Sequence, residues 1–242
     1  MKSRKKSRRG LRFAAALLSM GILCLCVAGF VTSQSGLSSA VSLPFGLGTS
    51  QADTSLGWNL ILVNKDHRIP ANYKVDLVEL SNGEKVDSRI YPELQSMFDD
   101  ARADGLALFV REGYRTRKDQ EQIMDERVVQ YQAQGYSKAE AGKLAREYVA
   151  VPDTSEHQLG LSVDINADTS KCSSDAVYNW LAENAWKYGF IKRYPADKVD
   201  ITGISNEPWH YRYVGKEAAQ EMQQSGMCLE EYVQYLNEQS QG

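Results

Sequence analysis

Apolar and polar residues alternate from Leu161 to Ile165, the clearest strand signal in the chain. Leu161, Val163 and Ile165 face a core on this pattern, and Ser162 and Asp164 face the other way, because successive strand side chains point to opposite sides. Short continuous apolar runs at 60–63 and 106–110 predict two buried strands, the first ended by Asn64-Lys65-Asp66. Asn82-Gly83 marks a turn. Helical spacing governs other stretches. Pro92 starts a helix through Ala103 with Leu94, Met97 and Phe98 on one face. Residues 117–133 read as a helix with Ile123, Met124, Val128 and Tyr131 as its inner stripe. Ser137 caps a further helix through Tyr148, with Glu140 at the capping-box position. A helix at 175–188 is closed by Gly189, Phe190-Ile191 predicts a short strand, and residues 216–224 and 229–236 read as terminal helices. Helices gathered between antiparallel strands give an α+β domain with a small sheet. A parallel βαβ arrangement is disfavoured, since the apolar runs are few and irregularly spaced.

Length and charge divide the chain. At 242 residues it suits one compact domain with an appendage. The formal net charge of −3 gives no sign of a nucleic-acid partner. The charge is uneven: Lys2, Arg4, Lys5, Lys6, Arg8, Arg9 and Arg12 crowd residues 1–12. An uncharged apolar run follows at 13–32, and about twenty such residues span a bilayer as a helix. Basic residues before the run keep the N-terminus in the cytoplasm and send the rest across the cytoplasmic membrane. The expectation is a single-pass anchor with an extracytoplasmic domain. The alternative is a secreted protein with a cleaved signal peptide, whose apolar region is usually shorter. Residues 33–55, rich in Ser, Gly and Thr, read as a flexible spacer, and the domain proper occupies 56–242. Beyond a membrane Cys172 and Cys228 are either paired in a disulfide or two free thiols.

The chemistry-bearing residues concentrate in two stretches. Two of the three histidines, His157 and His210, lie in them, and His67 stands apart as a surface histidine. His157 and Asp164 are seven positions apart across Gly160, where the chain can fold back and bring the ring toward the carboxylate. An imidazole and a carboxylate converging in this way supply two-thirds of a catalytic zinc site, and His210 is the candidate third ligand. Pro208 disfavours helix for Glu207, so this segment is expected to run extended, and Glu207 would then project near the metal as a base without being a ligand. The blander alternative makes the histidines hydrogen-bonded loop residues and Asp164 a turn cap.

Ser155-x-His157-x-x-Gly160-x-x-x-Asp164, followed by Glu207-Pro208-Trp209-His210 and preceded by Gly113-Tyr114-Arg115-Thr116 with Gln120, resembles the zinc D-alanyl-D-alanine carboxypeptidases of the VanY type. The likeness runs from about residue 58 to 214. It implies a Hedgehog/DD-peptidase-like fold and a Zn2+ ion on His157, Asp164 and His210. It further implies Glu207 as the general base and Arg115 gripping the substrate's carbonyl oxygen or terminal carboxylate, the alternative for Arg115 being an ion pair with Glu112. Gln120 and Ser155 become secondary substrate contacts. Tyr114, Trp209 and Tyr211 line a pocket or belong to the core. The implied reaction removes the terminal D-alanine from peptidoglycan stem peptides. L,D-cleavage of tetrapeptide stems is the alternative within the enzyme class, and a non-catalytic wall-binding module is the alternative outside it. Ser162 and Glu112 depart from the family's usual small residues.

Overall fold

The computed structural model describes residues 50–240; the basic segment, the apolar run and spacer residues 33–49 lie outside the described residues, whereas 50–52, expected in the spacer, belong to the domain, because Ser50–Gln51 pair with His67–Arg68 and Ala52 is buried in the main core. Among the described residues no helix is long and apolar enough to cross a membrane. The elements that matter for function are β5 (Leu108–Glu112), β6 (Ser162–Ala167), β7 (Phe190–Lys192) and β8 (His210–Tyr213), which form an antiparallel sheet in the order β5-β6-β8-β7. Two minor pairs precede it: β1 (Ser50–Gln51) beside β2 (His67–Arg68), and the hairpin of β3 (Leu77–Glu79) and β4 (Lys85–Asp87) around the expected Asn82-Gly83 turn. The α+β architecture with an antiparallel sheet follows the sequence pattern.

Alternation along β6 sorts its side chains as expected. Leu161, Val163 and Ile165 are fully buried in the main core, against helices α1 (Tyr91–Ala103) and α4 (Ser174–Asn184). Asp164 faces the opposite side of the sheet. Helix α2 (Arg117–Ala133) follows β5 and packs on α3 (Lys138–Ala145), both opened by capping boxes, Thr116 with Asp119 and Ser137 with Glu140. A short helix α5 (Val199–Thr202) lies between β7 and β8. The C-terminal helices α6 (Lys216–Ser225) and α7 (Leu229–Gln239) build a second cluster with Leu60, Ile191 and Val214.

Three expectations need correction. Leu60, Ile61 and Val63 are buried, but residues 60–63 form no strand, because the carbonyls of Asn59 and Ile61 are taken by the Arg212 guanidinium at 3.1 and 3.0 Å rather than by a neighbouring strand. The supposed inner stripe of α2 is only half-buried; Gln120 is its buried residue, since the helix rests on α3 and the site and not on the core. The segment after Glu207 turns at Pro208-Trp209 instead of running extended, and the His210 amide closes the turn on the Glu207 carbonyl. Cys172 and Cys228 are free thiols.

Arg212 is fully buried and binds Glu156 Oε1 at 2.9 Å besides its three backbone carbonyls, those of Asn59, Ile61 and Tyr213. Removing Arg212 leaves the buried Glu156 carboxylate with the Arg193 guanidinium alone and takes the donor from three backbone carbonyls. Arg212→Met should therefore lower the unfolding free energy by about 3–5 kcal/mol, read from the urea midpoint.

Candidate active site

His157 stands in a single 3-10 turn, Glu156–Leu159, closed by Gly160 in the left-handed conformation at φ 71°. A Cβ there would also meet Val75 Cγ2 at 2.9 Å, so glycine is needed for both conformation and space. The turn swings the ring back under the β5–α2 connection, where Nδ1 lies 2.7 Å from the Gly113 carbonyl. A carbonyl can only accept, so Nδ1 carries the proton and Nε2 presents its lone pair. Gly113 is itself forced by close approach: a Cβ would sit 2.2 Å from the Lys85 carbonyl oxygen.

Asp164 and His210 are direct cross-strand partners on β6 and β8. Their side chains share one face of the sheet, and His210 Nδ1 comes within 3.0 Å of Asp164 Oδ1. His157 Nε2 approaches the same oxygen at 3.4 Å, and the two imidazole rings stand nearly perpendicular at 4.9 Å. Asp164 Oδ1 is buried and makes no hydrogen bond, although two ring nitrogens surround it. The three ligand atoms lie within 4.8 Å of one another, on two nitrogens and one oxygen. That donor set, with an orphaned oxygen at its centre, fits a three-residue zinc site with an open fourth position.

The charges around this cluster favour a cation. Burial works against an ionised Asp164, but the flanking histidines hold its carboxyl well below the usual range. Burial also opposes a charged His210, yet Asp164 and Glu156 raise it to about 9, so in the absence of metal the carboxylates keep a proton on its ring. Burial and the Arg115 charge lower His157. Glu207 lies 3.7 Å from His210 Nδ1, beside the ligand set without joining it, and burial pushes it up to about 7.

Glu156 completes the site and escaped the sequence reading. Its buried carboxylate accepts from Arg193 Nε at 2.8 Å, Arg212 at 2.9 Å and Ser162 Oγ at 3.2 Å. Its Oε2 lies 3.6 Å from His210 Nε2, the ring nitrogen pointing away from Asp164. Burial disfavours this charge, but the two guanidinium groups hold Glu156 well below its ordinary value. Arg193 passes on to Glu230 at the start of α7 through two bonds of 2.8 and 2.6 Å. Ser162, the departure from the usual small residue, thus has a partner. The available signal was an arginine set among strand aromatics, Arg212 between Tyr211 and Tyr213, which demands a buried acid.

The other expected residues separate into groups. Arg115 bonds Glu112 Oε1 at 3.0 Å and Gln120 Oε1 at 3.3 Å, and lies 3.6 Å from Asp164 Oδ2, so the ion pair and the site position coexist. A bulge between Val110 and Glu112 on β5 brings Glu112 opposite Asp164, in the same row. Gln120 is tied by Nε2 to the Ala150 carbonyl at 2.7 Å. Arg115, Gln120, Ser155, Glu207 and Trp209 line a cavity of about 190 Å³ with the three candidate ligands. Tyr194 also lines it, its ring 4.9 Å from that of His210. Tyr114 lies outside this lining, and Tyr211 belongs to the core. His67 takes no part and pairs with Asn64.

Comparison with known proteins matches this geometry. Residues 83–216 fit the family model described as VanY, D-alanyl-D-alanine carboxypeptidase. A D-alanyl-D-alanine carboxypeptidase of Enterococcus faecalis is 58% identical over 176 residues, 73% of this chain and 66% of that protein, so the match spans just under two thirds of the curated relative. The crystal structure of a mutant vancomycin-resistance D,D-pentapeptidase VanY from a VanB-type cassette, in complex with Zn(II), is 58% identical with a TM-score of 0.71, covering 73% of this chain and 99% of that one. The structure of VanYB with D-alanine-D-alanine gives 58% identity and a TM-score of 0.72, over 73% and 98% of the two chains. The chain belongs to the VanY family of D-alanyl-D-alanine carboxypeptidases.

Proposed function

We propose that this protein is a zinc-dependent carboxypeptidase that removes the terminal D-alanine from peptidoglycan stem peptides. The observation that carries the reading is the convergence of His157, Asp164 and His210 on one buried, unpaired oxygen, with the Glu207 carboxylate beside them. Zinc on these three residues supplies a Lewis acid for the scissile carbonyl and lowers the pKa of a bound water.

The chain's own residues do the rest. Glu207 accepts the water's proton, which its burial-raised basicity allows near neutrality, and hands it to the leaving amine. Arg115, already fixed by Glu112 and Gln120, has further N–H donors for the terminal carboxylate or the carbonyl oxygen as charge develops. Gln120 acts through Arg115. Ser155 has no side-chain hydrogen bond within the described chain and lines the cavity, which suits a direct substrate contact. Trp209 forms part of the wall. Relatives at 58% identity carry D,D names, which supports D,D over L,D cleavage. An intact base speaks against a module that only binds wall, since binding needs no proton acceptor. The basic segment followed by the apolar run at 13–32 supports a single-pass anchor with the domain extracytoplasmic.

Incubation with a pentapeptide-stem muropeptide should release one D-alanine, and a chelator should stop it. Release of a dipeptide, or turnover only on tetrapeptide stems, would contradict the reading. Glu207→Gln should retain zinc while kcat falls by roughly 10²–10⁴-fold, because a transition-state proton acceptor is lost. In the wild type kcat/KM should decline as acid protonates Glu207, a limb that Glu207→Gln lacks.

Glu156→Gln should weaken zinc binding by about 10–100-fold in a competitive chelator titration, as expected for a partner that orients a ligating histidine. Protease added to intact, wall-stripped cells should digest the domain, and protection until lysis would count against the proposed topology.

A further inference from the structure

Two arginines line the active-site cavity, Arg115 and Arg127. They differ in what already holds them. Arg115 is engaged by Glu112 and Gln120 and lies near Asp164. Arg127, half-buried on α2, makes no hydrogen bond or ion pair with any described residue. The residues a turn away on the helix are Ile123, Met124, Gln130 and Tyr131, none of which offers a carboxylate. A partly desolvated guanidinium without a counter-charge favours an incoming anion, and its planar fork suits a carboxylate.

Position identifies which carboxylate. Gln120, Ile123 and Arg127 share one face of α2 and all line the cavity. Gln120 marks the Arg115 end, where the scissile region is held in the proposed reaction. Arg127 is seven residues further along, about 10 Å at roughly 1.5 Å rise per residue. An extended peptide covers that distance in about three residues at roughly 3.3 Å each. A carboxypeptidase has one residue on the leaving side of its bond, so a group three residues away lies on the amino-terminal side.

We propose that Arg127 forms a carboxylate subsite for the stem peptide amino-terminal to the cleaved bond, reading the free α-carboxylate of a γ-linked glutamyl residue. The inference rests on the carboxypeptidase reading and adds to it a basis for discriminating among stem peptides. Ile123 and Tyr148 supply apolar wall beside the subsite, where the peptide's aliphatic portions pack.

The test uses the full-length, zinc-loaded protein and two synthetic peptides, γ-D-glutamyl-L-lysyl-D-alanyl-D-alanine with its glutamyl α-carboxylate free and the same peptide as the α-carboxamide. Lysine has no side-chain carboxylate, so the comparison reports the glutamyl group alone. The wild type should prefer the free acid by about tenfold or more in kcat/KM, chiefly through KM, as a charge-assisted bidentate contact provides. Arg127→Gln should bring the ratio near one, Arg127→Lys should keep part of it, and Arg127→Glu should invert it. A wild-type ratio near one, or a ratio that survives Arg127→Gln, overturns the subsite. Binding of the same pair to zinc-loaded protein, measured by calorimetry, separates this inference from the reaction. A preference for the acid that depends on Arg127 without any D-alanine release would uphold the subsite and sink the proposed chemistry. Equal binding of the two peptides would sink the subsite whatever the turnover.

Discussion

The buried carboxylate of Glu156 is the constraint on which the rest of the structure depends. A lone buried anion is costly, and here two fully buried arginines, from β8 and from just beyond β7, offset that cost. Each arginine then needs its own remaining donors satisfied. Arg212 finds the carbonyls of Asn59, Ile61 and Tyr213, and Arg193 finds Glu230. The network therefore fastens the N-terminal strap, the sheet and the last helix around one point. That point is also the neighbour in sequence of one candidate ligand and the neighbour in space of another, His210. Stability and the aim of the metal-facing nitrogens are thus not separable here. The 3-10 turn that delivers His157 is pinned at its first residue by Glu156 and at its last by the space left at Gly160.

Much of this was legible because the site is built from local periodicity and short motifs. The alternation at 161–165 gave both the inward face and the outward Asp164, and the proline and glycine signals found the helix ends near where they occur. The residues that were missed depend on partners far away in sequence. Glu156 is 37 positions from Arg193 and 56 from Arg212. Nothing within a single window of sequence distinguishes it from a solvated loop acid. The strap at 60–63 was misread for the same reason: its apolar composition is that of a buried strand, but a side chain took its carbonyls. The half-buried stripe of α2 was overestimated because a helix that walls a cavity keeps its apolar residues without sinking them into a core.

The electrostatic layout assigns contrasting environments to three acids within a small volume. Asp164 is kept ionised by the histidines, Glu156 by the arginines, and Glu207 is left in a dry position where its proton is held more tightly. Environments that push like groups apart in this way are how a site assigns an acceptor, a ligand and a fixed counter-charge among chemically similar side chains. The bulge in β5 contributes by bringing Glu112 into the Asp164 row, where it steadies Arg115.

The direct pairing of Asp164 with His210 across β6 and β8 has a consequence for assembly. Side chains in a strand repeat every second residue, so sliding one strand by a single position would turn its ligand to the opposite face. The cation pocket exists in one alignment of these two strands and in no neighbouring one. The two residues are 46 positions apart along the chain, so the alignment is a non-local decision in folding rather than a local one. An ion that recognises only the correct alignment stabilises it by mass action and leaves shifted pairings unassisted. The cofactor would then act as a proofreader of strand alignment, before any substrate arrives.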